Sequence, residues 1–405
     1  MKTKGNLLEI CLLGLWLLLP EVLQAQLTYT INSGAITITG YTGNPTLVSI
    51  PSTINNLPVI IIGKSAFNNK PTLTSVMIPD SITLIGTNAF SLCTGLTNVT
   101  IGGGVTNIGD SAFQGCTKLP GITIPDSVYK LGSNAFFSCT SLTNVSIGRN
   151  VTNIGTTAFA NCSSLTAITV AYANPTYTNA DGILYGAGQT TLIQCPGGKA
   201  GSYVIPGTVT NIGDYAFEYC SNLTSVTITT NVNSIGTFAF CYCSGLSSLE
   251  LSNNFINIGS FAFEYCFGMT NLTISGGIIN IENSGAFAFC SSLSTLTLAN
   301  GVISVGSGAF SHCLKLSSVV ILDSITSIGG GAFDSCYSLT NLSMGTGVTS
   351  IGTEAFNACN NLSNITIPDS VTNIGIGAFG SSSLVTIAVD EQNETSEKGC
   401  LSCLF

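Results

Sequence analysis

The chain has 405 residues, of which 7% are charged, 45 are Gly and only 10 are Lys or Arg, and its formal net charge is -9. An ordinary globular domain has about 25% charged residues, so this composition argues against two or three such domains despite the length. The 45% content of hydrophobic residues allows a large core and excludes disorder as the explanation. No basic stripe is present to bind a nucleic-acid backbone or an anionic membrane, so neither is an expected partner.

Residues 1–25 predict a secretory signal peptide. Lys2 and Lys4 supply a positive start, the apolar run 10–19 follows, and residues 23–25 offer a cleavage site after Ala25. A membrane anchor is the alternative, but this run is too short for a hydrocarbon core of about 30 Å. We therefore expect an exported protein, secreted or at the cell surface, with no membrane span after signal cleavage.

Residues 26–57 predict an N-terminal β capping segment. The alternation from Ile36 to Thr39 is typical of a half-buried strand. We expect this segment to cover the end of the first repeat.

A 23-residue repeat occupies residues 58–389 and is marked by the dipeptide Ala-Phe. The spacing is 23 residues except for a step of 24 from Phe263 to Phe287 and a step of 58 from Phe159 to Phe217. The repeat phenylalanines are Phe67, Phe90, Phe113, Phe136, Phe159, Phe217, Phe240, Phe263, Phe287, Phe310, Phe333, Phe356 and Phe379. A fixed period of this kind indicates a solenoid, in which stacked coils bury one continuous core.

Within one repeat, the residues Leu142, Val145 and Ile147 have the L-x-x-L-x-L pattern that predicts a strand. The Ile-Gly step that ends at Gly109 predicts a corner with a positive φ or a close backbone approach. Ser, Thr or Asp stands two residues before the repeat Ala in ten of the thirteen repeats, as at Asp110, and such side chains cap helices. We therefore predict a right-handed leucine-rich-repeat solenoid with one parallel strand and a short helical or 3₁₀ turn per repeat.

The full unit, L-x-x-L-x-I-P-x-x-V-x-x-I-G-x-x-A-F-x-x-C, resembles the BspA-like leucine-rich repeat family. An insertion at about 171–203, with strand-rich runs 183–185 and 191–195, is also similar to a recurring element of that family and predicts a hairpin. The resemblance implies a surface or secreted protein that acts in adhesion and protein–protein contact. The charged tail at 390–405 is predicted to be disordered.

Eleven of the 16 cysteines form one column, three residues after each of eleven repeat phenylalanines. They are Cys93, Cys116, Cys139, Cys162, Cys220, Cys243, Cys266, Cys290, Cys313, Cys336 and Cys359. Neighbours in such a stack approach disulfide distance, but their side chains point the same way and free Cys is commonly buried. We expect a reduced, inert ladder. Cys400 and Cys403 have C-x-x-C spacing without the further ligands that zinc needs.

Candidate catalytic groups are few. His312, the single histidine, lies in a regular repeat beside Cys313 with no distinctive partner. Asp80, Asp126 and Asp323 occupy equivalent turns of different repeats, which favours a turn role, with calcium binding as a weaker alternative. We therefore predict no catalytic, cofactor-binding or metal site and no enzymatic activity.

The predicted function is non-catalytic binding or adhesion through the outward strand positions. These include Thr97, Asn98 and Thr100, Thr143, Asn144 and Ser146, and Thr270, Asn271 and Thr273. The expected partner is an extracellular or cell-surface protein, with a glycan as a further option, and the expected state is a monomer. Two alternatives are a structural Thr/Ser ladder that binds glycan, ice or crystal, and, less favoured, a secreted enzyme. The hairpin is a second candidate contact, since long excursions from a rigid scaffold often carry recognition.

Overall fold

The computed structural model describes residues 26–384 and 386–389, except 45, 252–254, 276–277 and 282–283. The predicted signal peptide, the tail, and Cys11, Cys400 and Cys403 lie outside the described residues. Within the described part, no helix is both long and apolar enough to cross a bilayer.

The chain forms a parallel β-solenoid, so the predicted fold class is confirmed. Each coil contributes a strand to a first ladder of outward-facing strands. These strands are Ser75–Ile78, Asn98–Ile101, Gly121–Ile124, Asn144–Ile147, Ala167–Val170, Gly201–Val204, Leu223–Thr227, Ser248–Leu251, Asn271–Ile274, Thr295–Leu298, Ser318–Ile321, Asn341–Met344, Asn364–Ile367 and Thr386–Val389. The ladder consists of five parallel sheets, and within each sheet neighbouring strands pair at equivalent repeat positions, for example Val145 with Ile168 and Ile147 with Val170.

A second ladder, which the one-strand prediction did not include, follows the turn in each coil. Its strands are Leu84–Ile85, Asn107–Ile108, Lys130–Leu131, Asn153–Ile154, Asn211–Ile212, Ser234–Ile235, Phe255–Ile258, Ile278–Ile281, Val302–Val305, Ser327–Ile328, Ser350–Ile351 and Asn373–Ile374. Most of these strands have two residues, too few for an alternating pattern to mark them in the sequence.

Five strands precede the first complete coil. They are Gln26–Asn32, Ala35–Thr42, Leu47–Ser49, Thr53–Ile54 and Leu57–Ile62. The first pairs antiparallel with the second, and the second pairs parallel with Leu57–Ile62, which continues into the second ladder. Leu47–Ser49 pairs with the strand at Ser75 and so begins the first ladder.

The core consists of columns of equivalent residues. The rings of Phe113, Phe136 and Phe159 are buried and stack with centroid separations of 5.2 and 5.7 Å, while Leu142 and Ile147 are buried in the same core. The ring spacing is close to the separation of paired strands, so each coil extends the solenoid along its axis by one strand separation. Phe136 therefore lies between the rings of the two neighbouring coils.

The Ala-Phe segment consists of tight turns rather than a helical turn. Ala89 N donates to Gly86 O at 3.1 Å, but Asn88 and Leu92 have φ of 57° and 60°, which interrupt a helical path. The freed N–H groups bond to the next coil, as from Phe90 N to Ala112 O at 2.7 Å. The described chain contains one 3₁₀ helix, Ala187–Gln189, which lies in the insertion.

The residues around these turns bind the next coil too. The side chain of Asp110, predicted as a helix cap, accepts a hydrogen bond from Ser133 N at 3.0 Å. Gly109 lacks a positive φ, and a Cβ there would lie 2.7 Å from Thr87 N, so close backbone approach is the reason for glycine.

The insertion is part of the solenoid rather than a detachable flap. Its strands are Tyr177–Ala180, Ile183–Gly186 and Thr191–Gln194, and the last pairs with Asn211–Ile212 in the second ladder. Leu184 packs in the core of the preceding coils, whereas Ile183 and Tyr185 pack in the core of the following ones. Removing the insertion would therefore expose both cores.

Candidate interaction surfaces

The exposed side of the first ladder, here called the strand face, carries mostly neutral polar side chains. One column of threonine hydroxyls on this face stabilises the fold by hydrogen bonds between coils. Thr97, Thr143 and Thr270 are exposed, and each Oγ1 donates to a backbone carbonyl of the preceding coil at 3.1, 2.8 and 3.1 Å. Their hydrogen atoms are thereby committed to joining coils. These positions present hydroxyl oxygens and methyl groups to a partner.

A second column of the strand face leaves more hydrogen-bonding capacity. Thr123, Ser146 and Thr169 are exposed and in register, and the hydroxyls of the last two lie 3.1 Å apart. Exposed Met77 and Val320 occupy the equivalent position in other coils. A flat crystal lattice requires a regular array, so this irregular column favours a macromolecular partner over ice or mineral.

A cleft of about 570 Å³ lies where the insertion meets the solenoid. It is lined by Val170, Ala171, Tyr172, Asn174, Tyr177, Thr178, Asn179, Ala187, Gly188, Gln189 and Thr208. Asn174 is structural, because its amide donates to Gly148 O and Val151 O. Tyr172 is fully exposed at the edge, so the cleft combines an accessible ring with neutral polar groups.

His312 forms no Cys-His pair. Its Nδ1 lies 2.8 Å from Ser311 Oγ and its ring stacks on Phe289 at 4.4 Å, whereas Cys313 Sγ is buried and donates to Phe287 O. The neighbouring carboxylate of Asp334 accepts hydrogen bonds from Asn357 and Ser335. The histidine therefore belongs to a stack of surface rings.

The cysteine column is buried and its thiols are free. The thiol of Cys93 donates to Phe67 O at 3.1 Å, and that of Cys139 donates to Phe113 O at 3.2 Å. Burial raises the pKa of Cys93 to about 11 and that of Cys162 to about 12. Because the thiolate is the reactive form, these side chains are inert in the folded protein.

The turn aspartates join neighbouring coils. Asp80 Oδ1 accepts from Gly103 N at 2.7 Å, and Asp323 Oδ1 accepts from Thr346 N at 2.7 Å. Asp126 accepts a backbone hydrogen bond from Arg149, which lowers its pKa, and also pairs with that guanidinium at 2.7 Å. Among the described residues, His, Cys, Asp and Glu side chains form no cluster of three or more that could hold a metal ion.

A surface that was not predicted from the sequence lies on the turns of the middle coils and is here called the aromatic strip. One row of stacked rings comprises Tyr219, Tyr242, Tyr265, Phe289 and His312, with centroid separations of 4.4 to 4.8 Å. Phe137 meets the edge of this row, with its ring at a steep angle to Tyr219 and a centroid separation of 6.1 Å. A second row comprises Tyr215, Phe238 and Phe261. Glu218, Cys241 and Glu264 lie between the rows in sequence and are buried. The signal for this strip is Tyr or Phe two residues before and two residues after the repeat Phe, where earlier repeats have Asn, Ser, Thr, Leu or Gly.

Known proteins share both the repeat and the fold. The model of the BspA type leucine rich repeat region matches in six copies, over residues 60–179, 199–284 and 283–404. A leucine-rich repeat protein from Eubacterium ventriosum is 25% identical, with a TM-score of 0.68 over 91% of this chain and 95% of that chain.

Two further crystal structures show the fold alone. A leucine-rich repeat protein from Bacteroides ovatus is 24% identical (TM-score 0.52), with 87% of this chain and 98% of that chain covered. The pneumococcal vaccine antigen PcpA is 19% identical (TM-score 0.53), with 91% and 97% covered. No curated protein matches the sequence. Because the family model matches well over half of its length, the chain belongs to the BspA-type leucine-rich repeat family.

Proposed function

We propose that this protein is exported, remains at the cell surface or is secreted, and binds an extracellular protein through its strand face without catalysis. The signal-like segment at residues 1–25 supports export. One protein that shares the fold, PcpA, is a pneumococcal vaccine antigen. Both observations agree with a binding role outside the cell.

The strand face is the observation that carries the proposal. Its exposed positions recur at one strand spacing because neighbouring coils pair in register. Apart from Glu250, its side chains are uncharged, and the hydroxyls of Thr97, Thr143 and Thr270 are already fixed by hydrogen bonds to the backbone. A pre-organised surface loses little entropy on binding, and repeated weak contacts along one scaffold add to each other.

We propose that the protein is not an enzyme because each candidate catalytic side chain has a structural role. The His312 ring is stacked in a row, the column thiols are buried, and the turn aspartates bind neighbouring coils. A catalytic site needs a nucleophile, a base and an orienting group that converge on one substrate atom. We also propose that the chain acts as a monomer.

Glycan binding at the cleft of the insertion is a second candidate function. Exposed Tyr172 offers a ring, and Gln189 is held with a φ of 56°, a backbone conformation that is costly outside glycine. An accessible aromatic ring beside neutral amides and hydroxyls suits an uncharged sugar. The occupant of this cleft would be a neutral oligosaccharide.

Point substitutions distinguish the two surfaces, whereas deletion of the insertion would expose the core. The variant Thr123→Arg/Ser146→Arg places two cations on the strand face at exposed positions. The variant Tyr172→Ala/Gln189→Ala alters the cleft. Each full-length variant is immobilised and tested against purified extracellular-matrix proteins and a panel of neutral glycans.

Loss of protein capture in the first variant alone would support the strand face. Loss of glycan capture in the second variant alone would support the cleft. Parent protein that captures neither class would contradict the proposed binding function. Mass analysis of protein recovered outside the producing cells should show removal of residues 1–25, and retention of that segment inside the cell would contradict export.

A further inference from the structure

The main row of the aromatic strip places large rings at a turn position whose backbone conformation is shared by all coils. Tyr219, Tyr242 and Tyr265 have φ of 60°, 59° and 58°, in the left-handed region. The equivalent position of the earlier coils also has a positive φ and is occupied by Asn69, Leu92, Gly115, Ser138 and Asn161. What distinguishes the middle coils is therefore the side chain: three consecutive tyrosines replace residues that are mostly small or polar.

The rings stabilise one another but leave part of their surface in solvent. Tyr242 stacks on Tyr219 at 4.7 Å and on Tyr265 at 4.6 Å, with interplanar angles of 2° and 14°. Stacking covers the ring faces, so ring edges and phenolic hydroxyls remain for contact. Phe267 lies tilted on Tyr265 at 5.6 Å and is itself exposed. The strip therefore presents apolar walls with hydroxyl groups.

Two carboxyl groups accompany these rings. Glu218 and Glu264 are each only 9% exposed. Within the described structure, Glu218 Oε2 is buried with no hydrogen-bond partner, and Glu264 Oε2 has the thiol of Cys241 at 3.9 Å. A buried carboxyl oxygen without a donor is costly, so it is suited to a donor that arrives with a ligand.

The charge around the strip is one-sided. The sequence has no Lys or Arg between Lys199 and Lys315, a stretch that contains Asp214, Glu218, Glu250, Glu264 and Glu282. The carboxyl groups of this stretch therefore attract a cationic ligand, and no Lys or Arg of the same stretch competes with it. Another copy of this chain, with its 10 Lys and Arg, is poorly matched to the strip.

We propose that the aromatic strip is a docking site for a basic segment of a partner protein. The ammonium or guanidinium groups of Lys or Arg donate to the carboxylates of Glu218 and Glu264, and their alkyl stems pack along the ring edges. Cation–π contact over ring faces is not the mode, because neighbouring rings cover those faces. This surface is separate from the strand face and from the cleft, and its occupancy is independent of either.

The spacing of the two carboxylates defines the segment. Glu218 and Glu264 are two coils apart, about 10 Å at the usual strand separation. An extended peptide rises about 3.3 Å per residue and its side chains alternate between two faces, so basic side chains four residues apart share a face and lie about 13 Å apart. The flexible stems of Lys or Arg cover the remaining difference, so such a pair reaches both groups. A peptide that runs along the solenoid axis meets this requirement.

A defined peptide tests the proposal with the full chain. The probe is a capped peptide of three Lys separated by Gly-Ser-Gly spacers, and its counterpart carries acetylated lysines. We expect calorimetric binding of the Lys peptide alone, weakened by salt as for other ion pairs. At pH 8, above the pKa of about 7 to which burial raises Glu218, Glu218→Gln/Glu264→Gln should reduce the affinity at least about tenfold, because it removes both charged acceptors. Glu250→Gln is the matched control, since it makes the same kind of change on the strand face of a middle coil.

Several outcomes would overturn the proposal. These are no binding of the Lys peptide, equal binding of the acetylated peptide, or an equal loss of affinity in Glu250→Gln. Concentration-dependent dimerisation that Glu218→Gln/Glu264→Gln abolishes would assign the strip to a second copy instead. Thermal unfolding of each variant shows whether the solenoid is retained. If the carboxyl variant fails to fold, Tyr219→Ser/Tyr242→Ser supplies the second test, and unchanged peptide affinity in it contradicts the docking site.

Discussion

The coils before and after the insertion have the same interior and different exteriors. Core rings are separated by 4.9 to 5.7 Å from Phe67 to Phe159 and by 4.5 to 5.4 Å from Phe217 to Phe379. Outside, the earlier coils carry Lys64, Lys70, Lys118, Lys130 and Arg149. The middle coils instead carry stacked rings and carboxyl groups, with no cation from 200 to 314. The shared core maintains the fold, which leaves the turn columns free to diverge for binding.

The strongest test of the shared interior is removal of one core ring on each side of the insertion. Phe136→Ala and Phe263→Ala should each reduce the free energy of unfolding by about 3–5 kcal/mol, since each leaves a cavity between two stacked rings. Urea denaturation measures both changes. A cost below about 1 kcal/mol in one variant would show that the two interiors are not equivalent.

A smaller loss of stability is expected when Ala replaces a glycine at which the backbones of neighbouring coils approach closely. Two adjacent glycines, Gly103 and Gly104, provide the comparison. In Gly104→Ala the new Cβ would collide with the backbone carbonyl oxygen of Asp80, whereas in Gly103→Ala its nearest neighbour is Asp80 Oδ1 at 3.7 Å. We expect Gly104→Ala to cost about 1–3 kcal/mol, as for overpacking, and Gly103→Ala to be nearly neutral. Equal unfolding midpoints for the two variants would contradict the packing of these turns.

Exchanging Tyr and Asn at the left-handed turn position tests how much the stacked rings of the middle coils stabilise the turns. Tyr242→Asn relieves backbone strain but removes two ring stacks, so we expect a net loss of about 1 kcal/mol. Asn161→Tyr adds strain and removes the hydrogen bond from Asn161 Nδ2 to Ser138 Oγ, and it too should destabilise by about 1 kcal/mol. Thermal unfolding of both variants provides the measurement. A neutral Asn161→Tyr would mean that a ring needs no stacking partners at this position.

The smallest expected effect is a change in the pH dependence of stability. Burial raises the pKa of Glu218 from 4.5 to about 7. The folded protein therefore binds this proton more tightly than the unfolded chain, and the contribution to stability is lost as the pH rises from 4.5 through 7. Glu218→Gln should thus gain stability relative to the parent between about pH 5 and about pH 8. Urea midpoints that differ by the same amount at both pH values would exclude this assignment.

The interior could be predicted from the sequence because it depends on residue type at a fixed period. Phe136, Leu142 and Ile147 need only to be apolar and equivalent in neighbouring coils to form a column. The turns could not be predicted in the same way. Their left-handed positions accept Asn88, Leu92 and Glu354 alike, because the N–H bonds to the next coil, not the side chain, set the conformation.

The surfaces were predicted in part. The exposed positions of the strand face follow from strand alternation, and Thr97 and Thr143 lie where expected. Their hydroxyls were expected to serve a ligand, but the nearest acceptor belongs to the preceding coil, which only the stacked structure shows. The insertion was predicted as a hairpin excursion from the scaffold, yet its central strand supplies Leu184 to one core and Tyr185 to the other.

This division of side chains has a mechanical consequence. The columns of core rings stop at Phe159 and resume at Phe217, so the strand from Ile183 to Gly186 is the shared wall between two stacks. A rod anchored to a surface at one end and to a partner at the other would be stretched by flow. Tension would then concentrate at this wall, where the column of stacked rings is interrupted. Under load the protein would extend in two stages, and the stack that had not yet yielded would keep its strands in register.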